Sequence, residues 1–354
     1  MEFMSAREAA DKWGISQRRV AILCSEGRID EAVMVGNMWI IPNTAQKPED
    51  ARSLRYNKND EKIAKPFLKW AGGKSQLINE IESYYPFSEG KITKYAEPFV
   101  GGGAVLFDIL NKFNLSDIYI SDINAELINT YIIIRDQVED LIKILLNLQN
   151  DFIPLDIDRR KILYMKQREY FNNLKINKTY NIEMAALMIF LNRTCFNGLY
   201  RVNKKGLFNV PMGAYKNPLI CNENNLRIVS QKLKNVKIVH GDYKKASEFI
   251  DENTFVYFDP PYRPITNTAN FTAYSENEFN DEKQIELAEF VKKMSKKGAI
   301  VVVSNSDPKN IDVNDEFFER IYNSFNINRV SASRMINSNS KKRGKISELI
   351  ISNI

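Results

Sequence analysis

Asp259-Pro260-Pro261-Tyr262 gathers in four residues the groups needed to hold a flat heterocycle and act on an amine attached to it. A base could stack on the Tyr262 ring. The Asp259 carboxylate and the Pro260 carbonyl could then accept both hydrogens of its exocyclic amine. The tetrapeptide follows Phe255-Val256-Tyr257-Phe258, an apolar run of β-branched and aromatic residues that reads as a buried strand stopped by the proline pair. Its expected place is the carboxyl end of a strand, where open α/β sheets put their ligands.

A second group of residues suits a nucleoside. Glu97-Pro98-Phe99-Val100-Gly101-Gly102-Gly103 follows a strand-like run and precedes an apolar helix, Ala104 to Asn111. Its glycines let backbone approach a ligand at a helix N-terminus. The pattern is not the dinucleotide fingerprint, because position 106 is Leu. The next strand-like run ends at Ser121-Asp122-Ile123-Asn124, and an acidic residue about 20 residues past a glycine turn can bind both hydroxyls of a ribose. Taken alone, Asp122 reads better as the cap of the following helix. Lys69-Trp70-Ala71-Gly72-Gly73-Lys74-Ser75 is not a phosphate loop, since Leu68 stands where its first glycine is required. Its lysine and aromatic could instead hold a carboxylate and stack on an adenine. In His240-Gly241-Asp242, Asp242 could accept from a cofactor amine, whereas His240 reads as a structural residue at a strand end.

Composition narrows the chemistry. The 354 residues include one His and three Cys (Cys24, Cys195, Cys221) without paired spacing, which argues against a zinc site, a disulfide frame or a histidine-based triad and for a reducing cytosol. The expected cofactor set therefore contains no metal. No apolar run is long enough to span a membrane, and no signal-like stretch opens the chain. Lys and Arg outnumber Asp and Glu by 50 to 44, an excess that suits a polyanionic partner without requiring one.

The elements that must position these residues fall into two sets. Over residues 1–45, Ser5 and Glu8 form a capping box for a helix from Ala6 to Trp13, ended by Gly14. Ser16 caps a second helix, Gln17 to Ser25, ended by Gly27. Val33 to Val35 and Met38 to Ile41 then form a hairpin around Gly36-Asn37. This is the pattern of a small winged helix-turn-helix module, with Arg18 and Arg19 near the start of the second helix. A helical hairpin that packs on the main domain or binds protein is the other reading. Residues 46–64 read as a linker. From 65 onward, strand-like runs at Tyr95–Phe99, Ile118–Ser121, Val236–Val239, Phe255–Phe258 and Ala299–Ser304 alternate with helical patterns such as Glu126–Arg135 and Glu282–Met294. That alternation implies an α/β domain with a doubly wound, mostly parallel Rossmann-like sheet. Residues 137–235 interrupt the rhythm and form an inserted, mainly helical lobe.

Four motifs in this order carry a resemblance: Phe67-Leu68-Lys69-Trp70-Ala71-Gly72-Gly73-Lys74, Phe99-x-Gly101-x-Gly103, Asp122-Ile123-Asn124 and Asp259-Pro260-Pro261-Tyr262. Over about residues 65–354 the chain resembles the Dam-type, α-group DNA adenine-N6 methyltransferases. The likeness continues through Leu191-Asn192-Arg193, Phe196-Asn197-Gly198-Leu199-x-Arg201, Phe208-Asn209-Val210-Pro211, Gly213-x-Tyr215-Lys216, Thr268–Tyr274, Ser304-Asn305 and Ser338–Lys345. It implies S-adenosylmethionine as cofactor, held through Trp70, Lys74, Asp122 and Asp259. Phe99, Gly101, Gly103 and Asp242 belong to the same expected cofactor site. It implies that Leu199, Arg201 and Pro211 read bases, with Lys69 adding a contact, and that the target is GATC. Where the family usually carries a Tyr that enters the base stack, this chain has Phe196, which keeps the ring and loses the hydroxyl.

On this reading Asp259, Pro260 and Tyr262 are catalytic, double-stranded DNA is the partner, and a cognate restriction endonuclease is a candidate companion. Lys204, Lys205, Lys216 and Lys341-Lys342-Arg343 would contact phosphates. Two alternatives remain at this point. One is methyl transfer to an amine in RNA or a protein amide. The other is a DNA-binding regulator whose methyltransferase domain is inert.

Overall fold

The computed structural model describes residues 3–36, 38–48, 63–70, 72, 74, 77–263, 279–333 and 345–354. The chain divides into two compact units, Met1–Lys62 and Ile63–Ile354.

In the first unit, strand β1 (Phe3–Ser5) leads into the helix Ala6–Trp13 and then the helix Gln17–Ser25. The capping box read from Ser5 and Glu8 forms: the Ser5 side chain accepts from the Glu8 N–H, and Glu8 accepts from the Ser5 N–H at 2.7 Å. Gly14, in the left-handed region, ends the first helix, and Ser16 caps the second. Strands β2 (Val33–Val35) and β3 (Met38–Pro42) follow. The antiparallel order β1-β3-β2 includes a pairing of β1 with β3 that the sequence pattern does not reveal. Ala9, Val20, Leu23, Trp13 and Ile41 form a small core of its own. Asn37, at the hairpin turn, and most of the linker lie outside the described residues.

The second unit is built on a seven-stranded sheet of β4 (Lys94–Glu97), β5 (Asp117–Asp122), β6 (Val236–His240), β7 (Thr254–Phe258), β8 (Ile300–Ser306), β9 (Asn326–Ser333) and β10 (Lys345–Ser352). Its order is β6-β5-β4-β7-β8-β10-β9. The first five strands run parallel, and β10 is antiparallel to both its neighbours. Both faces are covered, as parallel sheets require. In β7, Phe255 and Tyr257 pack into one hydrophobic cluster, and Val256 and Phe258 into the other. That is the period-2 alternation of a strand buried on both sides. The helix Asp281–Lys296 covers the second face through Leu287, Val291 and Met294. The helices Ala104–Lys112 and Ala125–Asp136 cover the first.

Two details differ from the sequence reading. Strand β4 stops at Glu97 rather than Phe99, because Pro98 brings no N–H to the ladder. Strands β9 and β10 were not anticipated. Between β5 and β6 the chain passes through the helices Val138–Phe152, Ile157–Ile176 and Ile182–Thr194, an irregular excursion over 195–222, and the helix Glu223–Leu233. No helix among the described residues is long and apolar enough to cross a membrane.

Candidate active site

The sheet order reverses direction between β4 and β7, and it is beyond the carboxyl ends of strands at such a switch point that open α/β sheets bind their ligands. The segments singled out in the sequence lie along this rim. The glycine turn follows β4, Asp122 ends β5, Asp242 follows β6, and Asp259 to Tyr262 follow β7.

The glycine turn is held from several sides. The Gly101 N–H donates to Asp122 Oδ2 at 3.0 Å, and the Tyr131 hydroxyl donates to the Gly101 carbonyl at 3.0 Å. Asp122 Oδ1 also accepts from the Asn124 N–H at 2.9 Å, while the cap of the next helix is Asn124 itself. Asp122 thus ties the glycine turn to the end of β5. Burial pushes its carboxyl up, against those backbone donors. Gly103 has a positive φ, and a Cβ there would lie 2.5 Å from the Tyr131 hydroxyl. Beneath the turn, Glu97 is 2% exposed; it accepts from the Tyr95 hydroxyl at 2.8 Å and from the Leu106 N–H in the first turn of the following helix. Burial holds the Glu97 carboxyl well above the usual carboxylate range.

Trp70 lies against this turn. A Cβ on Gly101 would meet its indole at 2.8 Å, and one on Gly102 its Cβ at 2.9 Å. The indole also stacks on Tyr200, with centroids 5.5 Å apart. Phe99 is engaged by the core, stacked on Tyr243 at 5.4 Å and edge-on to Phe279. Asp242 is exposed and caps a short 3-10 helix by accepting from the Lys244 N–H. His240 is bonded through Nε2 to the Ile123 carbonyl at 3.1 Å, at the end of β6.

Asp259 and Tyr262 share one pocket with Lys74. Lys74 Nζ is 2.6 Å from Asp259 Oδ1, 4.6 Å from the centre of the Tyr262 ring and 2.8 Å from the Gly72 carbonyl. Ser304, on β8, donates to Asp259 Oδ1 at 3.0 Å and is paired with the Tyr257 hydroxyl at 2.9 Å. Burial pushes the Asp259 carboxyl up, opposed first by the Lys74 ammonium and then by the Ser304 hydroxyl. The turn is braced further on. Gln284 donates to the Pro261 carbonyl at 3.0 Å, and Asn305 donates to Gln284. Arg263 forms ion pairs with Asp281 and Asp315. Among the described residues no donor engages the Pro260 carbonyl. The Tyr262 hydroxyl donates to Glu348 Oε2, on β10, at 2.5 Å. Glu348 and Gln284 are absent from the sequence reading. Ser304 is present there as the end of the run Ala299–Ser304 and in the motif Ser304-Asn305, with no role attached; its signal is a polar residue closing the apolar run Ile300–Val303.

A second cluster lies in the excursion after the helix Ile182–Thr194. Cys195 bridges to Met212 and Val202 to Phe208, and the Phe196 N–H donates to the Pro211 carbonyl at 2.9 Å. Phe196, Leu199, Arg201 and Pro211 are thereby gathered in one loop. Phe196 is 52% exposed, a large apolar ring with no core to fill. The exposed Arg201 is held by Asn209, its Nε donating to Oδ1 at 2.8 Å. Lys69 joins the cluster: its ammonium lies 4.7 Å from the centre of the Tyr215 ring, and its stem abuts Gly198. Ala71, Gly73, Ser75, Thr268–Tyr274 and Ser338–Gly344 lie outside the described residues, as do the side chain of Lys345 and the basic run Lys341-Lys342-Arg343.

A mainly parallel seven-stranded sheet, with a glycine turn after β4 and a carboxylate–aromatic pair after β7, fits a Rossmann-like methyltransferase. Residues 70–336 match the D12 class N6 adenine-specific DNA methyltransferase family, and the chain belongs to that family. It is 50% identical over 292 residues to the type II methyltransferase M.MjaIII of Methanocaldococcus jannaschii, covering 82% of this chain and 99% of that one. It is 38% identical to the type II methyltransferase M1.LlaDCHI of Lactococcus lactis subsp. cremoris, over 82% of this chain and 95% of the relative. It is 33% identical to the DNA adenine methylase of Escherichia coli K12, over 80% and 93%. The protein is an adenine-specific DNA methyltransferase.

Proposed function

We propose that the chain transfers a methyl group from S-adenosylmethionine to N6 of an adenine flipped out of double-stranded DNA, within GATC. The observation that carries this reading is the placement of Lys74 Nζ, 2.6 Å from the Asp259 carboxylate and 4.6 Å from the Tyr262 ring centre. It establishes that one nitrogen can touch the carboxylate while lying near the ring face. An adenine stacked on Tyr262 would present its amino group in the same way.

The rim residues fit the cofactor. Both carboxylate oxygens of Asp122 are engaged by backbone N–H groups, and the carboxylate keeps lone pairs for ribose hydroxyls. Lys74 can hold a carboxylate, Trp70 offers an indole beside the glycine turn, and Asp242 is exposed at the end of β6. S-adenosylmethionine supplies an electrophilic methyl on a sulfonium, so the protein has only to position and stabilise. Extruding an adenine costs a few kcal/mol; Tyr262 offsets this by stacking and Phe196 by filling the vacated space. The N6 lone pair is delocalised into the ring and weakly nucleophilic. Asp259 and the Pro260 carbonyl, accepting its hydrogens, favour a pyramidal nitrogen and stabilise the positive charge that develops there. The Asp259 carboxylate is also placed to receive the proton that N6 releases.

Leu199, Arg201, Pro211 and Lys69 would read the site, Arg201 through a guanine edge. The domain limits follow: a winged helix-turn-helix-like module over 1–45, a linker over 46–64, and the methyltransferase over 65–354 with its recognition lobe near 137–235. The capped helix pair and three-stranded sheet of the first unit support an auxiliary DNA-binding role, with Arg18 and Arg19 on its second helix. A cytoplasmic enzyme of a restriction–modification pair is consistent with the type II names of two relatives.

Single-base mapping of modified adenines, in DNA of known sequence incubated with protein and S-adenosylmethionine, tests the reading. N6-methyladenine confined to GATC is the expected result. Methylation at another motif keeps the chemistry and discards the specificity, and no methylation overturns both.

A further inference from the structure

The cofactor-side segment and the base-reading loop meet at one buried amide. Asn192 is 3% exposed and lies in the last turn of the helix Ile182–Thr194. Its Oδ1 accepts from the Lys69 N–H at 2.9 Å, and its Nδ2 donates to the Lys69 carbonyl at 2.8 Å. The same Nδ2 donates to the Gly198 carbonyl at 2.9 Å. Both amide hydrogens are therefore used, one on each side of the junction. The neighbouring Arg193 donates to the Phe67 carbonyl at 2.7 Å, so the helix end grips the same segment twice.

Each side of this junction leads to a different site. Lys69 is followed by Trp70, which lies against Gly101 and Gly102. Gly198 is followed by Leu199, Tyr200 and Arg201. Tyr200 closes the circuit by stacking on Trp70. Gly198 is pressed on Lys69, since a Cβ there would come 2.4 Å from Lys69 Cδ. Lys69, Trp70, Gly198 and Tyr200 are thus held in one packed circuit through which a displacement on either side could pass to the other. The two are joined by directional bonds to one side chain and by one ring stack.

We propose that Asn192 is a positioning residue that couples the two sites, so that cofactor occupancy tightens binding of the cognate duplex and the duplex tightens the cofactor. Reciprocity follows from linkage. The inference rests on assigning Trp70 to the cofactor and Leu199 and Arg201 to the bases. Asn192 touches neither ligand and acts through Lys69 and Gly198.

The test is a binding cycle on the full chain, with no turnover involved. The Kd for a GATC duplex is measured with and without sinefungin, an unreactive cofactor analogue, and the Kd for sinefungin with and without the duplex. In the unaltered protein the two ratios are expected to be equal, at about fivefold or more. In Asn192→Ala the ratios fall to about one, while the Kd for sinefungin on the free protein changes less than about threefold. Should Asn192→Ala fail to fold, Asn192→Asp, which keeps an acceptor for the Lys69 N–H and loses both amide donors, is measured instead and is also expected to lose the coupling. Coupling that survives in Asn192→Ala, or in Asn192→Asp where that replaces it, overturns the proposal, as does its absence from the unaltered protein. A chain that binds no duplex under either condition overturns the assignment of the sites as well.

Discussion

Asp259→Asn separates the charge of the catalytic acceptor from its shape. The substituted amide keeps an oxygen that can accept an N6 hydrogen but loses the negative charge that answers the cation developing on N6. A preorganised group aimed at such charge is worth about 10²–10³ in rate, or about 2.7–4 kcal/mol. Single-turnover methyl transfer into a duplex should therefore fall by about that factor, with the duplex Kd nearly unchanged. Asp259→Ala, which removes the acceptor too, should fall further. The structure also assigns a stability cost. Lys74 is 5% exposed on its side chain and would keep the Gly72 carbonyl at 2.8 Å, the Tyr262 ring and a neutral amide oxygen, but no charge partner. Breaking one side of a buried pair costs about 3–5 kcal/mol, and the partial exposure of Asp259 places this pair at or below the lower end. Lys74→Met in the Asp259→Asn background removes the stranded charge and should recover most of the thermal stability without recovering the rate. Transfer by Asp259→Asn within tenfold of the unaltered protein, with the fold intact, would refute the charge argument.

The acid limb of the pH–rate profile should lie above the value of an ordinary aspartate, about 3.9, because burial raises Asp259 and the reaction needs its charged form. Lys74→Met removes the largest opposing influence, so the limb should move to still higher pH. Glu348→Leu frees the Tyr262 hydroxyl from its 2.5 Å bond and should lower methyl transfer several-fold through a looser stacking platform, while Glu348→Gln, which keeps an acceptor, should recover it; equal defects in both would refute a positioning role. Glu97, whose folded carboxyl is held well above its unfolded value, contributes stability that is complete below about pH 4.3 and is lost as pH rises through the folded value. Denaturant titrations should accordingly show Glu97→Gln gaining on the unaltered protein as pH rises through that window. Arg201→Ala should cost about 1–3 kcal/mol of discrimination at a single guanine and leave binding to unrelated sequence nearly unchanged; equal weakening on all sequences would make Arg201 a phosphate contact.

The sequence reveals what is local. Asp259 to Tyr262 could be placed at a strand end because the apolar run and the proline pair that define that end are contiguous with it. The same holds for the glycine turn before Ala104 and for the helices capped by Ser5 and Ser16, each set by residues within one or two turns. Strand β9 escapes because it is an edge strand, with Asn326, Asn328, Arg329 and Ser331 exposed, so no buried face imposes an apolar alternation. Its partner β10 carries Leu349, Ile350 and Ile351 buried on both faces, a short apolar run that periodicity cannot tell from a helix segment.

The supports of the site escape for a different reason: they act across long separations and carry no motif. Glu348 reaches Tyr262 across 86 residues, and Asn192 reaches Lys69 across 123. Neither carboxylate nor amide has a spacing rule that ties it to its partner, because the meeting is made by the sheet order and not by the chain. The chemistry of each support still follows from its surroundings. A tyrosine hydroxyl half-withdrawn from water needs an acceptor, and the edges of two loops packed face to face leave backbone N–H and C=O groups that need partners. Asn192 satisfies three such groups with one planar amide, which Asp or Leu of similar size could not do. Replacing the residue that ties the two loops together thus leaves three backbone groups unpaired at once. That is why its coupling role has to be read from binding ratios, with folding measured alongside.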